Sequence, residues 1–283
     1  MKKLLTLALS SLLALSLLAG CGSNNTAASG SASASTGETV TLKVGASITP
    51  HAEILAQCKP ILAEQGIDLE VVEYTDYVQP NTALEDGSLD ANYFQHIHSL
   101  NWFNSEYGTH LVSAASVHYE PFGIYAGKVA SIADLKDGDE VIIPNDGSNE
   151  TRALLLLQQE GVITLKDGIT AASNATVQDI ASYSVNITIR EMEAAQLTIS
   201  LPDVALAVIN GNYALQGGLN AATDALAIES ADGDAAQEYG NILAVKEGHE
   251  NDPAILALID VLHSDTIRNF INNTYGGAVV PTF

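Results

Sequence analysis

The sequence predicts an α/β protein in two lobes, and three observations carry that prediction. Short apolar runs with strand character alternate with helical segments from Thr39 almost to the C-terminus. Several of those runs are apolar without interruption, which implies sheets covered by helices on both faces. The stretch from residue 39 to residue 283 is also longer than one such core usually needs. Hydrophobic residues make up 47 % of the chain and charged residues 16 %, a mix that excludes a disordered polyelectrolyte.

The first twenty residues stand apart from the fold. Lys2 and Lys3 precede an apolar run from Leu4 to Leu18, and the segment closes with Leu18-Ala19-Gly20-Cys21. A basic start, a short apolar stretch and a small-residue cleavage site describe a secretory signal rather than a membrane span. The Cys directly after Ala-Gly makes it a lipoprotein signal, with Cys21 carrying lipid after cleavage; an ordinary signal with a chance Cys is the alternative. Residues 22–37 are uncharged and rich in Ser, Ala and Gly, so they read as a flexible tether of roughly 20–25 Å. The body is therefore expected on the outer face of a cell membrane, held by lipid on Cys21.

The chain carries 11 Lys+Arg against 34 Asp+Glu, a formal charge of −23. Loss of Lys2 and Lys3 leaves 9 against 34, or −25. Phosphate backbones would repel such a chain, so nucleic acid is excluded as a partner. Two Cys give no disulfide framework, and Cys58 reads as a buried apolar residue.

The elements follow in order. Residues 41–46 form a strand, and 50–65 a helix with Pro50 in its first turn and Gly66 behind it. A strand is expected at 67–74, a short helix near 79–86 and a strand around 91–94. Val141-Ile142-Ile143 precedes a helix at 149–160, and 204–209 is an unbroken apolar strand. Residues 241–245 form another strand, and 253–263 and 266–273 are helices.

Seven segments then carry a resemblance. They are 76–81 (Asp-Tyr-Val-Gln-Pro-Asn), 90–96 (Asp-Ala-Asn-Tyr-Phe-Gln-His), 117–121 (Val-His-Tyr-Glu-Pro), 143–154 (Ile-Pro-Asn-Asp-Gly-Ser-Asn-Glu-Thr-Arg-Ala-Leu), 193–197 (Glu-Ala-Ala-Gln-Leu), 207–214 (Ala-Val-Ile-Asn-Gly-Asn-Tyr-Ala) and 277–281 (Gly-Ala-Val-Val-Pro). Together, and in this order, they resemble the NlpA-type lipoproteins, the methionine-binding components of ABC importers. The resemblance implies a two-lobed periplasmic-binding-protein fold of type II-like form, crossed twice by the chain. Lobe one would comprise 39–117 plus 225–283 and lobe two 118–224, with the ligand in the cleft between them. It further implies a monomer without cofactor, delivering an amino acid to a membrane permease with a cytoplasmic ATPase.

A free amino acid needs a cation, several polar partners and a shaped pocket. Arg152 is one of three Arg in the chain and is expected in the first turn of a helix, with Ser148 as its cap. A planar guanidinium beside free N–H groups is a good carboxylate receptor; the plainer reading is an exposed helical Arg paired with Glu150 or another acid. The family motif places an Arg in the receptor role at this position. Asn149, Asn210, Asn212 and Asn241 are the amide candidates, although Asn is common in turns for backbone reasons. Asn210 directly follows an apolar strand, whose C-terminal end faces the crevice in open α/β sheets. The resemblance assigns Asn210 and Asn241 to the ligand backbone; of the other two candidates, Asn149 ranks above Asn212. Tyr77, Phe94, His96 and His118 are the candidates for the ligand side chain. Tyr93 and Phe94 are neighbours on a strand, so only one of them can face the cleft.

One departure bears on the ligand. The family continues its Phe-Gln-His segment with Pro-Tyr where this chain has His98-Ser99, which leaves a related amino acid or a short peptide open beside methionine. The same change creates His96-Ile97-His98, so an importer protein for zinc or manganese is the alternative, with His51, His118 and Glu120 as further ligands. A secreted enzyme is a weaker alternative: no nucleophile elbow, phosphate loop or His-Glu-x-x-His is present.

Overall fold

The computed structural model describes residues 39–229 and 238–283. The expected signal (1–20) and the tether with Cys21 (21–38) lie outside the described residues. Each of the two large sheets grows from an apolar strand whose alternate residues enter different cores.

The first sheet has the order β13-β4-β12-β3-β1-β2. Its parallel part is β1 (Val40–Ser47) between β2 (Ile67–Tyr74) and β3 (Ala91–His96). Two long antiparallel strands, β4 (Leu111–Tyr119) and β12 (Gly240–Lys246), continue it, and β13 (Val280–Pro281) closes the edge. Leu42, Val44 and Ala46 point to one face, under α1 (Glu53–Ala63), α8 (Pro253–Leu262) and α9 (Asp265–Tyr275). Leu243 and Val245 of β12 enter that core, whereas Ile242 and Ala244 enter the opposite one with Leu84 of α2 (Gln79–Glu85) and Leu100 of α3 (Ile97–Tyr107). The two-residue period thus supplies both faces.

The second sheet has the order β11-β5-β10-β6-β9. β6 (Glu140–Pro144) runs parallel to β9 (Thr188–Met192) and β10 (Leu206–Ile209), and β5 (Gly123–Ala126) runs antiparallel to β10 and β11 (Ala225–Ile228). Val141, Ile143, Leu206 and Val208 pack with Leu154 and Leu157 of α4 (Gly147–Gln159). Ile142, Ala207 and Ile209 pack on the other side with Leu197 of α5 (Ala194–Ser200) and Ala214 of α6 (Gly211–Gln216). A hairpin of β7 (Ile163–Leu165) and β8 (Ile180–Tyr183) and the short α7 (Ala221–Asp224) complete the described part.

The alternation of strands and helices is as expected, and the differences are local. The helix expected over 50–65 divides: an irregular turn, Ile48–Ala52, carries His51 into the interior before α1 begins. Sheet membership differs from the expected lobe ranges at two places. His118 and Tyr119 belong to the first sheet because β4 runs on to pair with β12 and β13, and Ala225–Ile228 belongs to the second sheet because β11 pairs with β5. Helix α4 starts at Gly147, capped by Asp146, whose side chain accepts from the Asn149 N–H, so Ser148 is not the cap and Arg152 sits in the second turn.

Leu258 and Leu256 of α8 separate core from surface. Leu258 is fully buried and Leu256 is 44 % exposed. Leu258→Ala is expected to cost about 2–5 kcal/mol in urea unfolding, and Leu256→Ala less than about 0.5 kcal/mol; equal losses would refute this assignment of the helix's buried face.

Candidate ligand-binding site

The chain leaves the first sheet after Tyr119 and the second after Ile228, and an acid follows each exit: Glu120 and Glu229. Arg152 joins the two. Its Nε donates to Glu229 Oε2 at 2.8 Å, and its Nη2 donates to Glu229 Oε1 and, at 2.9 Å, to the Glu120 backbone carbonyl. The Tyr119 hydroxyl and the Phe122 N–H donate to the same Glu229 oxygen at 2.6 and 3.1 Å. The rings of Tyr239 and Phe122 lie 4.2 and 4.8 Å from the guanidinium carbon. Burial opposes the charge on Arg152, but the Glu229 carboxylate outweighs it and holds the guanidinium charged above its ordinary range. Arg152 is therefore buried and bidentately paired with Glu229. Glu150 is not its partner and accepts from the Val177 N–H instead.

A cavity of about 260 Å³ opens beside this pair, between β3 and α3 on one side and α4 and α6 on the other. Its polar floor is formed by Arg152, Glu120, Asn210, Asn212 and Asn241. Among the described residues, the buried Oδ1 of Asn210, at the N-cap of α6, has no hydrogen-bond partner, and the buried Nδ2 of Asn212 has none. Asn241 accepts from His51 Nε2 through its Oδ1 at 2.9 Å, and its Nδ2 has no partner among the described residues. Since an amide oxygen only accepts, the proton lies on His51. Gly211 is required here: a Cβ would stand 2.7–2.8 Å from the Glu120 side chain.

The walls are aromatic. Phe94 faces the cavity while Tyr93 turns into the core, as the strand alternation demands. Tyr77 lies 5.8 Å from Phe94 and 5.1 Å from Tyr213, ring to ring. Its hydroxyl donates to Asn212 Oδ1 at 2.5 Å, and the Tyr213 hydroxyl donates to the Thr75 carbonyl at 3.0 Å. On the other side, His96 Nδ1 accepts from the Ser99 N–H, which leaves the proton on Nε2, 3.2 Å from Asn149 Oδ1. Burial, and secondarily the Arg152 charge, hold His96 well below the usual imidazole range. Ser99 and Ser148 join their hydroxyls at 2.9 Å, and the Trp102 indole lies over Gly147.

Arg152, Asn210, Asn241, Asn149, Tyr77, Phe94 and His96 thus surround one cavity. His118 does not line it. It is fully buried behind Glu120, with Nε2 2.8 Å from Glu120 Oε1 and Nδ1 facing the Tyr93 hydroxyl, because β4 turns its side chain into the first core. Glu229, Tyr213 and Trp102 were not anticipated as site residues, and Glu120 was considered only as a metal ligand. Glu120 and Glu229 carry the signal that marked Asn210, a polar residue directly after a strand.

His51, His118 and Glu120 place their ligand atoms within 4.8 Å of one another, the one such group among the described residues. His96 and His98 are not part of it. Two Nε2–H groups donate toward Glu120 and Asn241, so the cluster holds a carboxylate in place with neutral imidazoles. Burial lowers His51 to about 4 and His118 to about 3, and burial raises Glu120, offset in part by His51 and Arg152. An unfolded His binds its proton near pH 6.5, so stability present above that pH is lost as pH falls toward 4. Each imidazole contributes up to about 1.4 kcal/mol per pH unit, and Glu120 acts in the opposite sense. Urea unfolding between pH 7 and 4.5 is expected to show this fall, with a smaller slope in His118→Gln; a flat wild-type profile would exclude the neutral pair.

Relatives place the chain. The methionine-binding lipoprotein MetQ of Bacillus subtilis is 40 % identical over 271 residues, covering 94 % of this chain and 93 % of that protein. A solved nutrient-binding protein from Burkholderia cenocepacia, bound to methionine, has a TM-score of 0.82 at 41 % identity and covers 86 % of this chain and 100 % of its own. A periplasmic substrate-binding protein of an ABC transporter from Coxiella burnetii has a TM-score of 0.79 at 38 % identity, covering 85 % and 99 %. The family model described as NlpA lipoprotein matches residues 42–283, and the chain belongs to that family.

Proposed function

We propose that the chain is the substrate-binding protein of an ABC importer, anchored by lipid on Cys21 outside the membrane, and that it binds L-methionine or a closely related amino acid or short peptide. The observation that carries this reading is the pair of buried orphans in one cavity: an acceptor, Asn210 Oδ1, and a donor, Asn212 Nδ2. Buried polar atoms are seldom left without partners, and a zwitterion supplies both kinds. Arg152 with the free amides of Asn212 and Asn241 would hold the carboxylate. Glu120 and Asn210 Oδ1 would take the ammonium. A polarizable thioether suits the faces and edges of Tyr77, Phe94 and Tyr213.

The lobes would follow the two sheets, with Glu120 and Glu229 at the crossings. Ligand touching both sides favours the closed form by its differential affinity, and a permease with a cytoplasmic ATPase then takes the loaded monomer. Binding and release need no bond chemistry, so no reaction is assigned. No helix among the described residues is long and apolar enough to cross a membrane, which is in keeping with attachment through lipid. The His51–His118–Glu120 group is read as the support of the ammonium site rather than as a metal centre.

A thermal-shift series on the full chain in detergent tests this reading. Methionine at about a thousand times its Kd should add roughly 4 kcal/mol of stability; a shift with Zn²⁺ alone, reversed by EDTA, would establish the metal alternative. Arg152→Ala is expected to cost about 3–5 kcal/mol of stability by stranding Glu229 and to weaken methionine binding 10- to 100-fold. Arg152→Ala with Glu229→Gln should recover stability but not affinity, measured by calorimetry; recovery of both would remove Arg152 from the site. Glu120→Gln keeps the shape between His118 and Gly211 but loses the charge. It should weaken binding 10-fold or more, and unchanged affinity would move the ammonium elsewhere.

A further inference from the structure

The charges around the cavity are unequal in a way that a neutral side chain does not answer. Four carboxylates line it, from Asp76, Glu120, Asp146 and Glu193, against one cation, Arg152, which Glu229 already neutralises. No Lys among the described residues reaches the cavity. A zwitterionic ligand pairs its ammonium with Glu120 and brings a carboxylate of its own. The remaining acids are then unopposed in a confined, partly apolar space, where fields are focused.

Asp146 is the most specific of them. Its Oδ1 accepts from Ser148 Oγ and from the backbone and side-chain nitrogens of Asn149, at 3.2, 3.1 and 2.8 Å. Its Oδ2 has no partner among the described residues. The Trp102 indole lies over the adjacent Gly147, where a Cβ would meet Nε1 at 2.6 Å. The small Ser99, tied to Ser148, leaves the space beside that ring open. Across the cavity stand Tyr77, Phe94 and Tyr213. Aromatic faces with nearby carboxylates form the usual receptor for a soft, weakly hydrated cation such as a sulfonium or quaternary ammonium. Independently of the acids, the orphaned Asn210 Oδ1 and Asn212 Nδ2, in residues 6 % and 3 % exposed, show that this cavity is built for a polar ligand.

We propose that the cavity takes amino acids whose side chain ends in a permanent cation, with a sulfonium in the place of the thioether, at least as tightly as it takes the neutral thioether. This rests on the amino-acid reading above, with Asp146 and the aromatic walls receiving the side-chain cation while Glu120 and Arg152 keep their roles.

The probe is S-methyl-L-methionine, titrated calorimetrically into the full chain in detergent beside L-methionine, each on the same preparation. The expected result is an affinity equal to or above that of methionine, with the advantage shrinking at high salt. Asp146→Asn, which keeps a good helix cap, should lower the ratio of sulfonium to thioether affinity fivefold or more. Because the ratio is internal to each protein, a general loss of folding does not imitate it. Methionine binding with S-methylmethionine more than tenfold weaker would overturn the proposal and leave the amino-acid reading standing, and an unchanged ratio in Asp146→Asn would overturn it as well. Binding of neither compound would overturn both readings.

Discussion

The buried pair of Arg152 and Glu229 is the interaction on which the rest of the site depends. One guanidinium contacts the carbonyl of the residue that leaves the first sheet and the carboxylate of the residue that leaves the second. Isolated charges are expensive to bury, and such a pair persists only when its remaining donors and acceptors are satisfied. Here Tyr119 and the Phe122 N–H complete Glu229, while Tyr239 and Phe122 cover the guanidinium. The same contacts hold the Glu120 backbone, and with it the carboxylate that enters the cavity. The cation, the anion and the two passages between sheets are thus fixed by one set of hydrogen bonds.

Around that clasp the polar groups divide into those the protein satisfies and those it leaves open. His118 and His51 spend their N–H groups on Glu120 and Asn241, and Asp146 spends one oxygen capping α4 and fixing Asn149. Among the described residues, the buried atoms left open are Asn210 Oδ1 and Asn212 Nδ2 on the cavity, and His51 Nδ1, His98 Nε2 and the Tyr125 hydroxyl away from it. Of these, only the amide atoms of Asn210 and Asn212 share one cavity, an acceptor beside a donor, which makes them informative about what the space is for.

The strand–helix alternation was legible in the sequence because the apolar runs at 141–143, 204–209 and 241–245 feed two cores each, and only helices on both faces can cover them. Local chemistry also placed Asn210 and separated Phe94 from Tyr93. What could not be read was set by long-range pairing. Glu229 reaches Arg152 across 77 residues of sequence, and nothing near either residue announces the other. His118 looked like a pocket residue because its motif neighbours are; the register of β4 against β12 decides that it points inward. The cap of α4 was misplaced by two residues because Asp146 and Ser148 are both good caps, and the choice between them depends on where β6 ends.

The hydrogen bonds from Tyr77 to Asn212, from Tyr213 to Thr75 and between Ser99 and Ser148 join segments on opposite sides of the cavity. In a receptor that reports occupancy by closing, such bonds set the baseline. In the proposed receptor each one would raise the share of empty molecules already closed and lower the conformational tax on the ligand's apparent affinity. It also narrows the difference between loaded and empty forms that a downstream partner can detect. Tight capture and faithful signalling therefore pull these three contacts in opposite directions.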